Sequence, residues 1–273
     1  MIALFLVILS KVNLITNSVY FLGFFILLGL KLVDMENREL TPDLFQKLRE
    51  FDTPTVCNAI ELFNLRSRCD GYMDQRIKAC FSGMEPIIGY AATATYRASY
   101  CAANDVYSTI DRQVATFSEL PGPPLVVFQD LDCPSVAASF GEVMCSIYKN
   151  FGAVGLITSG AARDLAQVRR LDFPAFSNGN ICSHGFGYIE ELMIEVCVGG
   201  LGVNAGDLLH ADENGVVSIP KEIVGELGDV CSEYCKAENI VIDYVNSCKD
   251  MKTKNGDRSL TELEFGSRLE GLI

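Results

Sequence analysis

Gly141–Asp164, GEVMCSIYKNFGAVGLITSGAARD, carries the reading of this chain. Ala137–Phe140 leads into Gly141, and Val143 to Tyr148 places apolar residues at helical spacing, so a helix is predicted to open near Gly141. The first N–H groups of a helix lack intrahelical partners and lie at the positive end of its dipole, which makes them an anion site. A glycine there lets a ligand approach the main chain. After Phe151 and Gly152, the run Ala153 to Thr158 is short, apolar and β-branched, the pattern of a buried strand. Ser159–Ala162 turns the chain. Arg163 and Asp164 are therefore expected at the carboxyl end of a strand and the head of the next helix, Leu165–Leu171, where open α/β sheets hold their ligands. Periodicity alone gives the class α/β.

The residue types at this junction suit one chemistry. Arg163 presents a planar fork that grips a carboxylate through two charge-assisted hydrogen bonds, and Asp164 offers hard oxygen to a divalent cation. Taken singly, Glu142 and Asp164 read as first-turn carboxylates that stabilise helices, and Arg163 as a surface cation. Together, two acids and a cation beside unpaired amides exceed what capping requires.

Outward from the junction, helices are expected over 41–51, 53–64, 105–118, 137–151 and 163–171, and from Lys221 to about Cys248. Strands are expected over 86–97, 124–130 and 153–158, and near 174–178, 188–198 and 207–219. Thr41 before Pro42 reads as a helix N-cap. GDLLHADENG (Gly206–Gly215) is acid-rich but lacks the oxygen spacing of a calcium loop, and Asn214-Gly215 reads as a hairpin turn. Lys249 to Asp257 reads as a solvated loop or tail.

Composition narrows the function. Thirty-five acids against 22 lysines and arginines give a formal charge of −13, which repels phosphate backbones, and no basic cluster interleaves with aromatics. Nucleic acid is thereby excluded as a direct partner. The eleven cysteines are scattered, many in apolar runs, and neither His184 nor His210 stands at ligand spacing from one, so reduced thiols are expected rather than disulfides or zinc. Both histidines are read first as structural, with a place lining the crevice as the alternative.

Residues 1–34 form an apolar leader outside a single domain of residues 35–273. Val12 to Leu30 is long enough to cross a bilayer as an apolar helix, which would anchor an otherwise cytoplasmic domain. The other reading places the natural start at Met35, since MENRELTPDLFQKLREF opens like a soluble domain.

The GEVM run, the spacing from Glu142 to Arg163 and the Arg-Asp pair resemble the signature of the 4-hydroxy-4-methyl-2-oxoglutarate aldolase family. That family also includes oxaloacetate decarboxylases and the bacterial regulator of ribonuclease activity A. The likeness continues through FDTPTVCNAIE (Phe51–Glu61), PIIGYAATAT (Pro86–Thr95), VVFQDLD (Val126–Asp132), LDFPAFSNGN (Leu171–Asn180) and VGGLGVNAGDLLHADENGVVSIP (Val198–Pro220). The resemblance implies a three-layer β/β/α fold of the swivelling-domain type, assembled as a homotrimer with sites between subunits. It implies a lyase that cleaves short 2-oxo-dicarboxylic acids to pyruvate through an enolate, or, as the alternative, a non-catalytic protein-binding regulator. By the same resemblance, the amides of Gly141, Glu142, Val143 and Met144 hold the 2-oxo-acid carboxylate and Arg163 contacts it. Asp164 ligates Mg²⁺ or Mn²⁺, Glu142 stands near metal-bound water that can act as base, and Glu238 is the candidate for a glutamate supplied by a neighbouring subunit. Two positions depart from the pattern: Gln167 stands where aldolase-competent relatives often carry an acid, and Asn58 where many carry Asp.

Overall fold

The computed structural model describes residues 41–101 and 106–255. The chain divides into two compact units: residues 39–234, which hold all elements up to the early turns of the last helix, and a second unit that includes the chain from Cys235 onward. The apolar leader lies outside the described residues. Among the described residues no helix is long and apolar enough to cross a membrane.

Helix α1 (Pro42–Leu48) starts as expected, with Thr41 Oγ1 accepting the Leu44 N–H at 3.4 Å ahead of Pro42. Asp52 caps α2 (Thr53–Leu62) in the same manner, accepting the Thr55 N–H at 2.8 Å. There follow β1 (Lys78–Ala79), β2 (Ile87–Arg97), α3 (Val106–Thr116), β3 (Pro124–Asp130), β4 (Ala138–Phe140), α4 (Glu142–Asn150), β5 (Gly155–Thr158), β6 (Ala161–Ala162), α5 (Leu165–Arg170) and β7 (Ala175–Ser177). The remainder comprises β8 (Tyr188–Leu192), β9 (Val196–Val198), β10 (Leu201–Val203), β11 (Leu208–Asp212), β12 (Gly215–Ile219) and the long α6 (Val224–Asn255).

The main sheet is mixed, in the order β1-β7-β5-β3-β2-β11-β12, with β7, β5, β3 and β2 parallel. The first part of β2 pairs antiparallel with β11 and its end with β8. Strict alternation divides the parallel strands between two cores. Ala92, Ala94, Val126, Phe128 and Leu156 face one core with Tyr148 of α4 and Val168 of α5. Ala91, Leu125, Val127 and Ile157 face the other, where Val196, Val198 and Val203 of the β9–β10 hairpin cover the sheet. A central sheet thus carries helices on one face and a small β-layer on the other. Both faces being covered explains why β3 reads as an unbroken apolar run. A third core joins α1, α2 and α6 to the β11–β12 hairpin through Leu48, Val56, Val217 and Leu227.

Four expectations change, the first being that α6 runs on to Asn255 where a loop or tail is expected from Lys249. The helix over 137–151 begins only at Glu142, because Ala138–Phe140 pairs with Ala161–Ala162 as a separate parallel ladder. Strands 188–198 and 207–219 are each broken in two, and β1 and β10 are additional. The hairpin turn is Glu213-Asn214, since Asp212 pairs with Gly215. No disulfide joins the described cysteines.

His210 is structural. It is fully buried in β11, its Nε2 lies 3.2 Å from the Leu48 carbonyl and its Nδ1 3.0 Å from Thr53 Oγ1. The Leu48 carbonyl needs a donor at Nε2, and the neutral Nε2–H tautomer satisfies both partners, with the threonine hydroxyl donating to Nδ1. Burial lowers the imidazole pKa below its ordinary value. Asp212 accepts the Thr53 N–H at 2.9 Å and completes the tie between α2 and the hairpin.

Candidate functional site

The short β4–β6 ladder builds the site. Ala138 pairs with Ala161 and Phe140 with Ala162, so the residues that follow, Gly141 and Arg163, leave the ladder side by side. The Arg163 N–H donates to the Phe140 carbonyl at 3.2 Å and fixes the exit. Gly141 is the extended N-cap of α4 and Asp164 the N-cap of α5. A Cβ at Gly141 would lie 2.5 Å from Asp164 Oδ2 and 3.0 Å from Arg163 Nε. A side chain at that position would displace the Asp164 carboxylate from the helix tip.

Glu142 directs its N–H to Asp164 Oδ2 at 3.2 Å, and Arg163 Nε stands 3.7 Å from the same oxygen. The amide of Glu142 is thus already partnered, where the sequence reading leaves it open to a ligand. Asp164 has φ +53 and ψ 35, the left-handed region that an L-residue enters at a cost of about 1 kcal/mol, and its side chain makes no capping bond to its own helix. The backbone is held there by the ladder behind it, and the conformation turns the carboxylate toward α4.

The structure therefore brings Gly141, Glu142, Arg163 and Asp164 together. Arg163 and Asp164 remain about one-third exposed, open enough to meet a ligand. Val143 is half-exposed, whereas the Met144 side chain packs into the helix-face core and leaves only its backbone to the crevice. Glu238 is exposed on the part of α6 that belongs to the second compact unit. Gln167 lies partly buried on α5, and Asn58 on α2, which packs against β11 and β12. His184 sits, exposed, on the segment that lines the ladder: Ala138 donates to the Ser183 carbonyl at 2.8 Å, and Ile181 to the Ala162 carbonyl at 3.1 Å.

Sequence reasoning passed over the residues beneath the ladder. Tyr96 and Asp130 are register partners at the carboxyl ends of β2 and β3. The Tyr96 hydroxyl donates to the Ala138 carbonyl at 3.3 Å beneath the ladder, and burial drives its pKa up, with Asp130 adding to the rise and Arg163 opposing it. The available signal was an acid closing an apolar strand at the end where ligands bind. A cavity of about 540 Å³ opens instead at the amino ends of these strands and is lined by Phe45, Arg49, Ile87, Pro123, Val154 and Phe173.

The fold and the site define a mixed α/β protein in which a helix tip, an arginine and an aspartate meet at the carboxyl end of a parallel sheet. The RraA-like family (Aldolase/RraA) matches residues 53–218, more than half of the chain, and the protein belongs to that family. A Halalkalibacterium halodurans protein provisionally named 4-hydroxy-4-methyl-2-oxoglutarate aldolase is 31% identical over 108 residues, 39% of this chain and 50% of that protein. One of the same provisional name from Halorhodospira halophila is 27% identical over 158 residues, 57% of this chain and 94% of its own. The chain thus spans about half the length of the first relative. Among solved structures, Streptomyces coelicolor RraAS2, described as an unusual member of the RNase ES inhibitor RraA family, shares the fold with a TM-score of 0.61 at 22% identity. That likeness covers 76% of this chain and all of the other.

Proposed function

We propose that the protein is a divalent-metal-dependent lyase that cleaves short 2-oxo-dicarboxylic acids, such as 4-hydroxy-4-methyl-2-oxoglutarate or oxaloacetate, to pyruvate. The observation that supports this most is the seating of Gly141 against Asp164 and Arg163, which sets a helix N-terminus, a guanidinium and a carboxylate around one point. The names of the relatives point the same way.

The residues fit a small hard cation. Among the described residues no group of three or more histidine, cysteine or acid side chains could cage a metal, so a single carboxylate with water and substrate oxygens is the available ligand set, which Mg²⁺ or Mn²⁺ tolerates. Asp164 would hold it through the oxygen that Glu142 does not engage. The bound cation would act as a Lewis acid on the 2-oxo group. Arg163 binds the substrate carboxylate with the amides of Val143 and Met144, and its charge opposes the negative charge that gathers as the carbon–carbon bond breaks. Glu142, exposed on the first turn of α4, orders water at the mouth. A homotrimer with a neighbour's glutamate completing the site, Glu238 being the candidate, belongs to the same proposal.

The test is pyruvate release from both acids with Mg²⁺ or with EDTA. Asp164→Asn keeps an acceptor for Glu142 and tolerates the left-handed backbone, so it should remain folded and lose metal-dependent turnover; Arg163→Ala should lose it too, mainly through weaker substrate binding. Turnover by Asp164→Asn that EDTA still abolishes would refute the metal assignment. A wild-type protein inert with every cation would favour the regulator reading.

A further inference from the structure

A second carboxylate lies against the ladder whose strands run out to the site. The alternation that turns Val126 and Phe128 toward the helix layer turns Asp130, the last residue of β3, the same way. The ladder lies across it: a Cβ at Gly160, just ahead of β6, would meet Asp130 Oδ2 at 2.6 Å and Ser139 Oγ of β4 at 2.1 Å. Both strands of that ladder run out to Gly141 and Arg163. Resting on the lyase reading, we propose that Asp130 is the proton carrier of the reaction. Its carboxylate takes the proton of the substrate 4-hydroxyl as the C3–C4 bond breaks, leaving a carbonyl on the departing fragment and the electron pair on the pyruvate enolate. The same proton then passes to C3 of the enolate, giving the pyruvate methyl group and restoring the carboxylate. In β-decarboxylation only the second transfer operates, and water returns the proton to Asp130.

The surroundings suit that task. Asp130 is half-buried, and the groups facing it are the Tyr96 phenol and Arg97 from β2, the Asp132 carboxylate and N–H, and the Ser135 hydroxyl. The Asp132 N–H donates to Oδ1 at 3.0 Å. Burial pushes the carboxyl pKa up and Asp132 adds to it, while the bonds from Ser135 and the Asp132 amide and the charge of Arg97 hold it back. A carboxyl raised in this way is a stronger base when ionised and still yields its proton.

The experiment follows exchange of the pyruvate C3 protons in D₂O by proton NMR with Mg²⁺, alongside the pH profile of kcat/KM for cleavage. Asp130→Asn keeps an oxygen to accept the Asp132 amide and offers an NH2 that the Ser135 hydroxyl can accept, so the turn survives. It should slow exchange by about a hundred-fold or more and remove the acid-side limb of the profile. Ser135→Ala, which removes a bond that lowers the Asp130 pKa, should shift that limb to higher pH, and it decides the matter should the first variant misfold. Wild-type exchange and an unmoved limb in these variants would overturn the role of Asp130 while leaving the lyase intact. Absence of both cleavage and exchange in the wild type would overturn the lyase reading and this proposal with it.

Discussion

A methyl group at position 141 is the smallest probe of the proposed chemistry. The Gly141 backbone is extended, so alanine meets no conformational penalty there and the effect isolates the contact with Asp164 Oδ2 at 2.5 Å. The carboxylate can swing aside because it is partly exposed, giving up the Glu142 N–H and its place beside Arg163. Gly141→Ala should therefore cost about 1 kcal/mol of stability yet lower kcat/KM at least about ten-fold; thermal melts and pyruvate assays compare the two. Unchanged kcat/KM would detach Gly141 from the site. Asp164 behaves oppositely. Replacing it by glycine removes a left-handed strain of about 1 kcal/mol and a hydrogen bond of similar worth, so the melting temperature should stay nearly level while turnover disappears. None of this strain was legible in the sequence, since an Arg-Asp pair says nothing of its own φ.

At the scale of elements, the strands and helices that bury continuous faces were readable: β2, β3, β5, α1 and α2 lie where apolar runs and caps put them, and the β11–β12 hairpin was readable except for the position of its turn. The β4–β6 ladder was not. Ala138–Phe140 and Ala161–Ala162 are too short to show any period, and their strand character comes from pairing with each other across more than twenty residues. The convergence of Gly141 with Arg163 was thus anticipated from the topology of strand ends, whereas the ladder that produces it, and Asp130 beneath it, emerged only in three dimensions. The His210 tie between α1, α2 and β11 carries its own prediction. The folded imidazole has a pKa below the ordinary 6.5, so the unfolded chain binds more protons as the pH falls past that value. Stability attributable to His210 is complete above about pH 6.5 and declines as the pH drops toward the folded-state pKa. Melts between about pH 7.5 and 5.5 should show this slope, and His210→Gln, less stable at neutral pH, should flatten it. An equal slope in the variant would assign the effect elsewhere.

At the scale of the whole molecule, a formal charge of −13 works against compaction. Raising salt from about 0.01 to 0.2 M shortens the screening length from about 30 Å to under 10 Å, so the melting temperature should rise by a few degrees, and the cation used for catalysis should add to this in the wild type but not in Asp164→Asn. A melting curve insensitive to salt would show that the acids are already locally compensated. The covering of the sheet on both faces, by helices and by the β9–β10 hairpin, has a wider effect. With each broad surface closed, small molecules are left only the rims, and the rim bearing Gly141, Asp130 and Arg163 is made of short segments that contribute little to the buried strands. Such a scaffold can exchange one reaction for another by altering a handful of rim residues while its interior stays as it is.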